Sequence, residues 1–311
     1  MTTPEQIQQW RAEHYNATVL SIRKSHDDLM VLRVKPDFPI PPHRAGQYTT
    51  LGLGSWEPRR ADAQAEPAKV SEEPRVIRRA YSISHPILDD RGDLVKPGEL
   101  DFLEFYIALL KTTDADKPPH LTPRIYLLNE GDRLHLGERI TGQFTLNNVA
   151  VEDTVLFLST GTGEAPHNFM VWELLAHGHR GPLVFASCVR IRSDLAYLET
   201  HERLGKLFPQ FRYIPLTTRE PSQAGRKVYI QDAIASGELE QQAGITLDPA
   251  HTHVFLCGNP KMIGVPLHNK ATGTKSYPTP LGAIEVLERR GFQEDLPHAN
   301  PRGNLHYEKY W

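Results

Sequence analysis

The residues in this chain best placed to do chemistry form a turn suited to an anion. The stretch LFLSTGTGEAPHNFM, Leu156 to Met170, sets Gly161 and Gly163 directly after an apolar run. Glycine permits a tight turn and a close approach of backbone N–H groups to a phosphate. Pro166 suits the first turn of the helix that follows, whose N-terminus offers partial positive charge to a pyrophosphate. Pro166 also replaces the last glycine of a full GxGxxG, so on this turn alone a plain strand-to-helix connection remains open.

The residues downstream bear on which dinucleotide would bind. A site for NAD places an acidic side chain near the end of the second strand, on the ribose 2′-hydroxyl. Here that strand ends ASCVRIRSD, with Arg190 and Arg192 before Asp194; the third ends PLTTRE, giving Thr218 and Arg219, with Arg226 and Lys227 close behind. Guanidinium forks and hydroxyls suit a 2′-phosphate, which points to NADP(H). The alternative is solvated surface arginine, and the shared position at carboxyl ends of strands speaks against it.

A second stretch, RRAYSISHP from Arg78 to Pro86, poses a different question. Strand alternation puts Arg79 and Tyr81 on one face and Ala80 and Ser82 on the other. A flavin needs an aromatic plate, a hydrogen-bond partner near its reactive nitrogen and cations for its phosphates, and Tyr, Ser and Arg supply these. A cross-strand Tyr–Arg pair at the surface is the other reading.

Two different architectures must position these residues. The first half reads ATVLSIRKS, LMVLRVKP, QYTTLGL, RRAYSIS and LDFLEFYIALL, with shorter runs at DRLHLGER and GQFTL, after a polar lead with helical character at Pro4–His14. Many short strands with little helix between them imply an antiparallel barrel or sandwich. Near residue 150 the pattern changes to apolar strands alternating with helices: TVLFLST, PLVFASC, FRYIPLTT and HVFLCGN. That is the signature of an α/β doubly wound parallel sheet covered on both faces. Two domains are expected, 1–150 and 151–311, with long surface loops at 54–78 and 111–120.

Composition excludes several classes. The chain has 311 residues, 39% apolar and 23% charged, with a formal charge of −3, too weak a balance for a dedicated nucleic-acid binder. Its two cysteines, Cys188 and Cys257, form no CxxC, so two reduced thiols in a cytoplasmic protein are expected. The N-terminus lacks a signal-peptide core, and no apolar run approaches the ~20 residues of a membrane span. The HxH pairs His177/His179 and His251/His253 have no acidic partner placed by spacing, so no metal is expected. In SDLAYLETHERL, Leu195, Leu198 and Leu204 read as sheet-facing rather than as a partner surface. In the 54–78 loop, acidic residues nearly cancel Arg59, Arg60, Lys69 and Arg75, so a solvated loop is expected.

RAYS at 79–82, EFYIAL at 104–109, LTPRI at 121–125, GTGEAP at 161–166, CGNPKM at 257–262 and a terminal Tyr310–Trp311 occur in that order. In this series, running from about Thr18 to Trp311, the chain resembles the ferredoxin–NADP reductase family in its bacterial form. The resemblance implies a six-stranded antiparallel barrel for FAD followed by an NADP domain, the two meeting over the flavin. It implies that Arg79 contacts the FAD pyrophosphate, Tyr81 stacks on the ring and Ser82 approaches its N5, with Ala80 also among the FAD-binding residues. Tyr106 and Ile107 would line the flavin and adenosine, and Leu121 and Thr122 would offer backbone N–H groups to the FAD phosphates. Gly161, Thr162 and Gly163 would take the NADP phosphates, with Thr162 also between flavin and nicotinamide. Cys257, Gly258, Asn259 and Pro260 would support the nicotinamide pocket. Tyr310 and Trp311 would cover the flavin and meet the adenine, in an order the resemblance leaves open. Ser82, Cys257 and Tyr310 are the residues it sets nearest the reaction, with Cys257 as a positioning element rather than a nucleophile.

The implied activity is electron transfer through FAD between NADPH and a one-electron carrier such as ferredoxin or flavodoxin, by a monomer engaging its carrier transiently. Two alternatives stand beside it: a reductase of the same architecture serving an oxygenase or free flavin, and a regulatory protein that holds FAD without turnover. The long 54–78 and 111–120 loops and the segment 264–277 depart from compact bacterial relatives, which leaves the housing of the FAD adenine open.

Overall fold

The computed structural model describes residues 3–67, 70, 74–113, 117–221, 227–269, 271–296 and 301–310. The chain forms two compact units, one of Met1–His85 with Lys96–Thr145, the other of Pro86–Val95 with Leu146–Trp311. Residues 86–95, inside the 1–150 span read as one domain, thus pack with the second unit.

The first unit is built on six strands: β1 (Ala17–His26), β2 (Leu29–Pro36), β3 (Tyr48–Gly54), β4 (Val76–Ser82), β5 (Leu103–Ala108) and β6 (Arg133–Leu136). They run β4-β3-β6-β1-β2-β5, each neighbour antiparallel. Ser84 N–H donates to Glu104 O at 2.8 Å just past the end of β4, so the two end strands meet and the sheet closes there. Val19, Leu32, Leu51, Leu53, Phe105 and Leu134 fill the interior. GQFTL, expected to be a strand, contributes only a single bridge from Thr141 to Tyr48. Gly142 turns the backbone at φ +135°, and Thr145 N–H bonds back to Gln143 O, so the run bends instead of extending. The polar lead forms three turns of helix, Pro4–His14, opened by a reciprocal cap between Thr3 and Gln6.

The second unit holds β7 (Thr154–Thr160), β8 (Leu183–Val189), β9 (Phe211–Thr217) and β10 (Thr252–Gly258), then a two-stranded ribbon, β11 (Leu267–His268) with β12 (Lys275–Ser276), and finally β13 (Leu305–Lys309). The five long strands run β13-β10-β7-β8-β9, all parallel. The tail that reads only as a terminal segment in sequence is therefore an edge strand beside β10. Strand alternation gives each face its own lining. Leu156, Leu158, Val184, Leu256 and their neighbours join an aliphatic core with helices Ile230–Ala235, Glu238–Ala243 and Ala283–Glu288. On the other face Phe157, Phe185 and Phe255 lie 5.8 Å apart in sequence across β8, β7 and β10. His167 of helix Glu164–Ala176 and His201 of helix Leu198–Leu207 cap that row, at 5.2 Å from Phe157 and 4.8 Å from Phe185. Leu195 and Leu204 are buried, as expected of sheet-facing positions. No helix among the described residues is long and apolar enough to cross a membrane.

The chain enters this sheet at β7, runs outward through β8 and β9, then crosses back to β10 on the other side of β7. The carboxyl ends of β7 and β10 flank the point where winding reverses, the crevice in which open α/β sheets take ligands.

The buried histidines give this unit a pH signature. Burial lowers the His167 ring to about 3 and the His306 ring to about 4. The unfolded chain takes up those protons below about pH 6.5 and the folded chain refuses them, so stability falls as pH drops from 6.5 towards those values. At His167 the loss between pH 7 and pH 5 amounts to roughly 2 kcal/mol. Unfolding free energies measured at both pH values should fall less steeply in His167→Leu by about that amount; equal slopes would contradict the assignment.

Candidate functional site

The glycine turn closes on the end of β10. Gly161 takes φ +53°, with open space where a side chain would stand, and the 3-10 turn Gly161–Gly163 leads straight into helix Glu164–Ala176. A Cβ on Gly163 would lie 2.3 Å from Cys257 O and 2.9 Å from Gly258 N. Gly258, at φ +124°, stands in the same relation to Thr160, whose Oγ1 a Cβ there would approach to 2.3 Å. Asn259 N–H donates to Thr160 Oγ1 at 2.7 Å, and Asn259 Oδ1 caps Lys261 N–H at 2.8 Å, which fixes the Pro260 turn. Tyr310 N–H reaches Gly258 O at 3.2 Å and its hydroxyl lies 3.5 Å from Thr162 O. Thr162, Gly163, Cys257, Gly258, Asn259 and Tyr310 are thereby gathered at one end of the sheet.

Cys257 is fully buried at the end of its strand, in register with Ser159 and Glu308. Burial, with a smaller push from Glu308, raises its thiol well above the ordinary value against the pull of Tyr310. It is a neutral packing group, not a thiolate nucleophile. Cys188 is likewise buried and pushed up to about 11.

The arginines expected to read the dinucleotide also converge. Thr218 N–H bonds to Val189 O at 3.0 Å and Arg219 N–H to Arg190 O at 2.7 Å, so the ends of β8 and β9 hold Arg190, Thr218 and Arg219 side by side. Arg190 and Arg219 are exposed. Sequence reading missed a counterweight: Asp194 accepts from Arg190 Nε at 3.0 Å and offsets part of its charge. Arg226 and Trp311 lie outside the described residues.

In the first unit, β4 and β5 border one seam, because they are the two end strands and meet at Ser84. Arg79 and Ala80 are exposed on β4, Tyr81 is half-buried and Ser82 buried. Crowding raises the Tyr81 hydroxyl, against the pull of Arg79. On β5, Tyr106 and Ile107 are both buried. Tyr126 OH donates to Ile107 O at 2.7 Å, and Leu110 N–H donates to Thr122 Oγ1 at 3.1 Å. These two bonds tie the end of β5 to the short helix Thr122–Ile125, which begins at Leu121.

The donor sets fit two nucleotides. In the second unit, a turn open at Gly161 stands before a helix of 13 residues, with exposed guanidiniums on the neighbouring strand ends. In the first, a cation, a phenol and a hydroxyl follow one another along a seam. Thr160 is a residue that sequence reading passed over; its signal is a hydroxyl at the last position of the strand, directly before the glycines. Glu164 is another, fully buried behind the turn, accepting from His201 Nε2 at 3.1 Å and Tyr213 OH at 3.2 Å.

The first unit is a closed antiparallel barrel, and the second a parallel sheet with an interlocked glycine turn at its switch point, the arrangement of a nucleotide-binding sheet. A profile of the oxidoreductase NAD-binding domain matches residues 157–265. The chain is 29% identical over 254 residues to the flavodoxin/ferredoxin–NADP reductase of Escherichia coli, covering 81% of this chain and 88% of that one. It is 27% identical over 248 residues to the reductase of the same description from Buchnera aphidicola, covering 79% and 86%. A ferredoxin NADP+ reductase from Neisseria gonorrhoeae with bound FAD and NADP shares the fold at a TM-score of 0.68 and 19% identity, over 95% of this chain and 98% of that one. Over most of its length the chain is thus similar to flavodoxin/ferredoxin–NADP reductases.

The glycine interlock makes a direct prediction. In Gly163→Ala the new methyl meets backbone that cannot swing aside, at a cost of about 1–3 kcal/mol or more. Gly205→Ala, in a helix with its nearest contact at 3.9 Å, should be neutral or stabilising by up to ~1 kcal/mol. Denaturant unfolding of both variants checks this; similar effects in the two would contradict the interlock.

Proposed function

We propose that this chain is an NADPH-dependent flavoprotein reductase that passes electrons between NADPH and a one-electron carrier, ferredoxin or flavodoxin, in the cytoplasm. Residues 1–150 bind FAD and residues 151–311 bind NADP(H). The observation that carries the reading is the Gly163–Gly258 interlock at the switch point, with Arg190, Thr218 and Arg219 on the strand ends beside it. FAD, when bound, accepts a hydride from NADPH and releases electrons singly, which the nicotinamide cannot do.

Each residue has a task that follows from its chemistry. The N–H groups of the Gly161–Gly163 turn take the pyrophosphate of NADP(H). Arg190, Thr218, Arg219 and Arg226 grip the 2′-phosphate, Arg190 at the expense of part of its bond to Asp194. Arg79 meets the FAD pyrophosphate beside Ala80, and the backbone N–H groups of Leu121 and Thr122 add to it. Tyr81 is the plate for the flavin ring, and Ser82 gives a hydrogen bond to its N5; Tyr106 and Ile107 wall the same seam. Cys257, Gly258, Asn259 and Pro260 shape the nicotinamide pocket, with Cys257 a neutral, buried packing group in its wall. Thr162, in the glycine turn, stands beside the nicotinamide. Tyr310 and Trp311 are aromatic covers that yield to the nicotinamide. Two free, buried thiols accord with a reducing compartment.

The purified protein should be yellow, and anaerobic NADPH should bleach its visible absorbance far faster than NADH does. Carrier-dependent reduction of cytochrome c should appear on adding ferredoxin or flavodoxin; bleaching without any carrier-dependent turnover would contradict the proposed partner. Arg219→Ala removes a charge-assisted contact of about 1.5–3 kcal/mol, so KM for NADPH should rise about tenfold or more while that for NADH stays put. Equal losses for both nucleotides would refute the 2′-phosphate role.

A further inference from the structure

The connection between β3 and β4 does not behave as a solvated loop. It begins under the N-terminal helix, where the Trp56 ring lies 5.0 Å from Trp10. Glu57 there accepts from Arg11 Nε and from Tyr15 OH, each at 2.8 Å. From this anchor the chain crosses the Lys111–Arg124 segment. Arg60 N–H donates to Pro123 O at 3.1 Å, Arg59 Nη2 to Pro119 O at 3.1 Å, and Gln64 N–H to Lys111 O at 2.7 Å. Thr113 N–H returns a bond to Gln64 Oε1 at 3.0 Å. Both long loops singled out in the sequence are thus bonded to each other.

The crossing ends on a clamp. Glu66 takes both Arg124 nitrogens, Nη1 at 2.7 Å and Nη2 at 2.8 Å, and lies 2.7 Å from His120 Nδ1. Arg124 is 3% exposed and also donates to His120 O at 2.7 Å and Ser55 O at 3.0 Å. Burial alone would raise the Glu66 carboxyl, but the bonds from Arg124 and His120 outweigh it and hold it below its usual value, so the clamp is charged at neutral pH. A buried guanidinium stripped of its carboxylate is left uncompensated, and a pair of this kind governs the geometry of whatever carries it. Arg124 belongs to the short helix that follows Leu121 and Thr122.

We propose that residues 57–67 form a strap that holds the Leu121–Thr122 turn in shape to receive the FAD phosphates, with Glu66 as its positioning residue. The role rests on the flavin reading given above. A turn of four residues with a proline in it has too few internal bonds to fix its own N–H groups. Besides the two bonds to the end of β5, the strap adds a second constraint from outside the turn, and the entropy of ordering the turn is met on folding rather than on binding.

The test compares Glu66→Ala and the isosteric Glu66→Gln with wild type and with Ala65→Ser, an exposed strap position that is not part of the clamp. FAD affinity is measured by flavin fluorescence, and hydrogen exchange of the Arg124, Ile125 and Tyr126 amides is measured in the flavin-free protein. The strap predicts at least tenfold weaker FAD binding and at least tenfold faster exchange in Glu66→Ala, an intermediate effect in Glu66→Gln, and no change of either in Ala65→Ser. KM for NADPH in the FAD-saturated variants should stay within twofold of wild type. Exchange and FAD affinity within twofold of wild type in both Glu66 variants would overturn the proposal, as would a loss spread evenly over the whole first unit. Wild-type protein that binds no FAD would sink the flavin reading, and the exchange rates would still decide whether the strap braces the turn.

Discussion

Two backbones touch where side chains of any size would forbid it. The turn after β7 and the end of β10 approach so closely that Gly163 and Gly258 are each the only residue type their position admits without displacement of main chain. This contact sits at the reversal of strand order, and the other features of that end of the sheet refer to it. Thr160 closes it through the Asn259 amide, Asn259 caps the next turn, and Tyr310 of the last strand bonds to Gly258 O. That end of the sheet is thus assembled from three chain segments whose common reference is one glycine pair.

The first unit solves a related problem by different means. Its barrel closes at a single bridge past β4, so Arg79, Ala80 and Tyr81 remain accessible along the seam while Ser82 is drawn inside. The Leu121–Ile125 turn beside it lacks a long helix to stiffen it, and a Glu66–Arg124 ion pair, reinforced by the His120 and Ser55 carbonyls, braces it instead. A charged clamp is a costly way to brace a turn, and it confers a defined geometry that apolar packing around four residues would not.

Much of this was legible in the sequence because it rests on local rules. Apolar runs alternating with helices, glycines after a strand and arginines at strand ends are each readable within a few residues, and Gly161, Gly163, Arg190, Thr218 and Arg219 followed from them. What escaped depends on pairs distant in sequence. Thr160 gains its role only when β10 lies beside β7, some hundred residues later. Asp194 reads as a residue past the strand end, and only the turn geometry brings it onto Arg190. The 54–78 stretch looked solvated because its own charges nearly cancel, but Glu66 is taken by Arg124, 58 residues away, a pairing that local charge counting does not show. GQFTL looked like a strand by propensity, and a glycine at positive φ overrode it. The edge strand at the C-terminus is short and polar, and parallel pairing with β10 rather than its own pattern makes it a strand.

The central claim is that the interlocked turn and the neighbouring strand ends form the NADP(H) site, and mapping amide chemical shifts on titration with NADP+ tests it most directly. The account predicts the largest shifts at Gly161, Thr162, Gly163, Gly258, Thr218 and Arg219. Shifts confined to the opposite end of the sheet, around Ala250, Thr252 and Asn304, would contradict it.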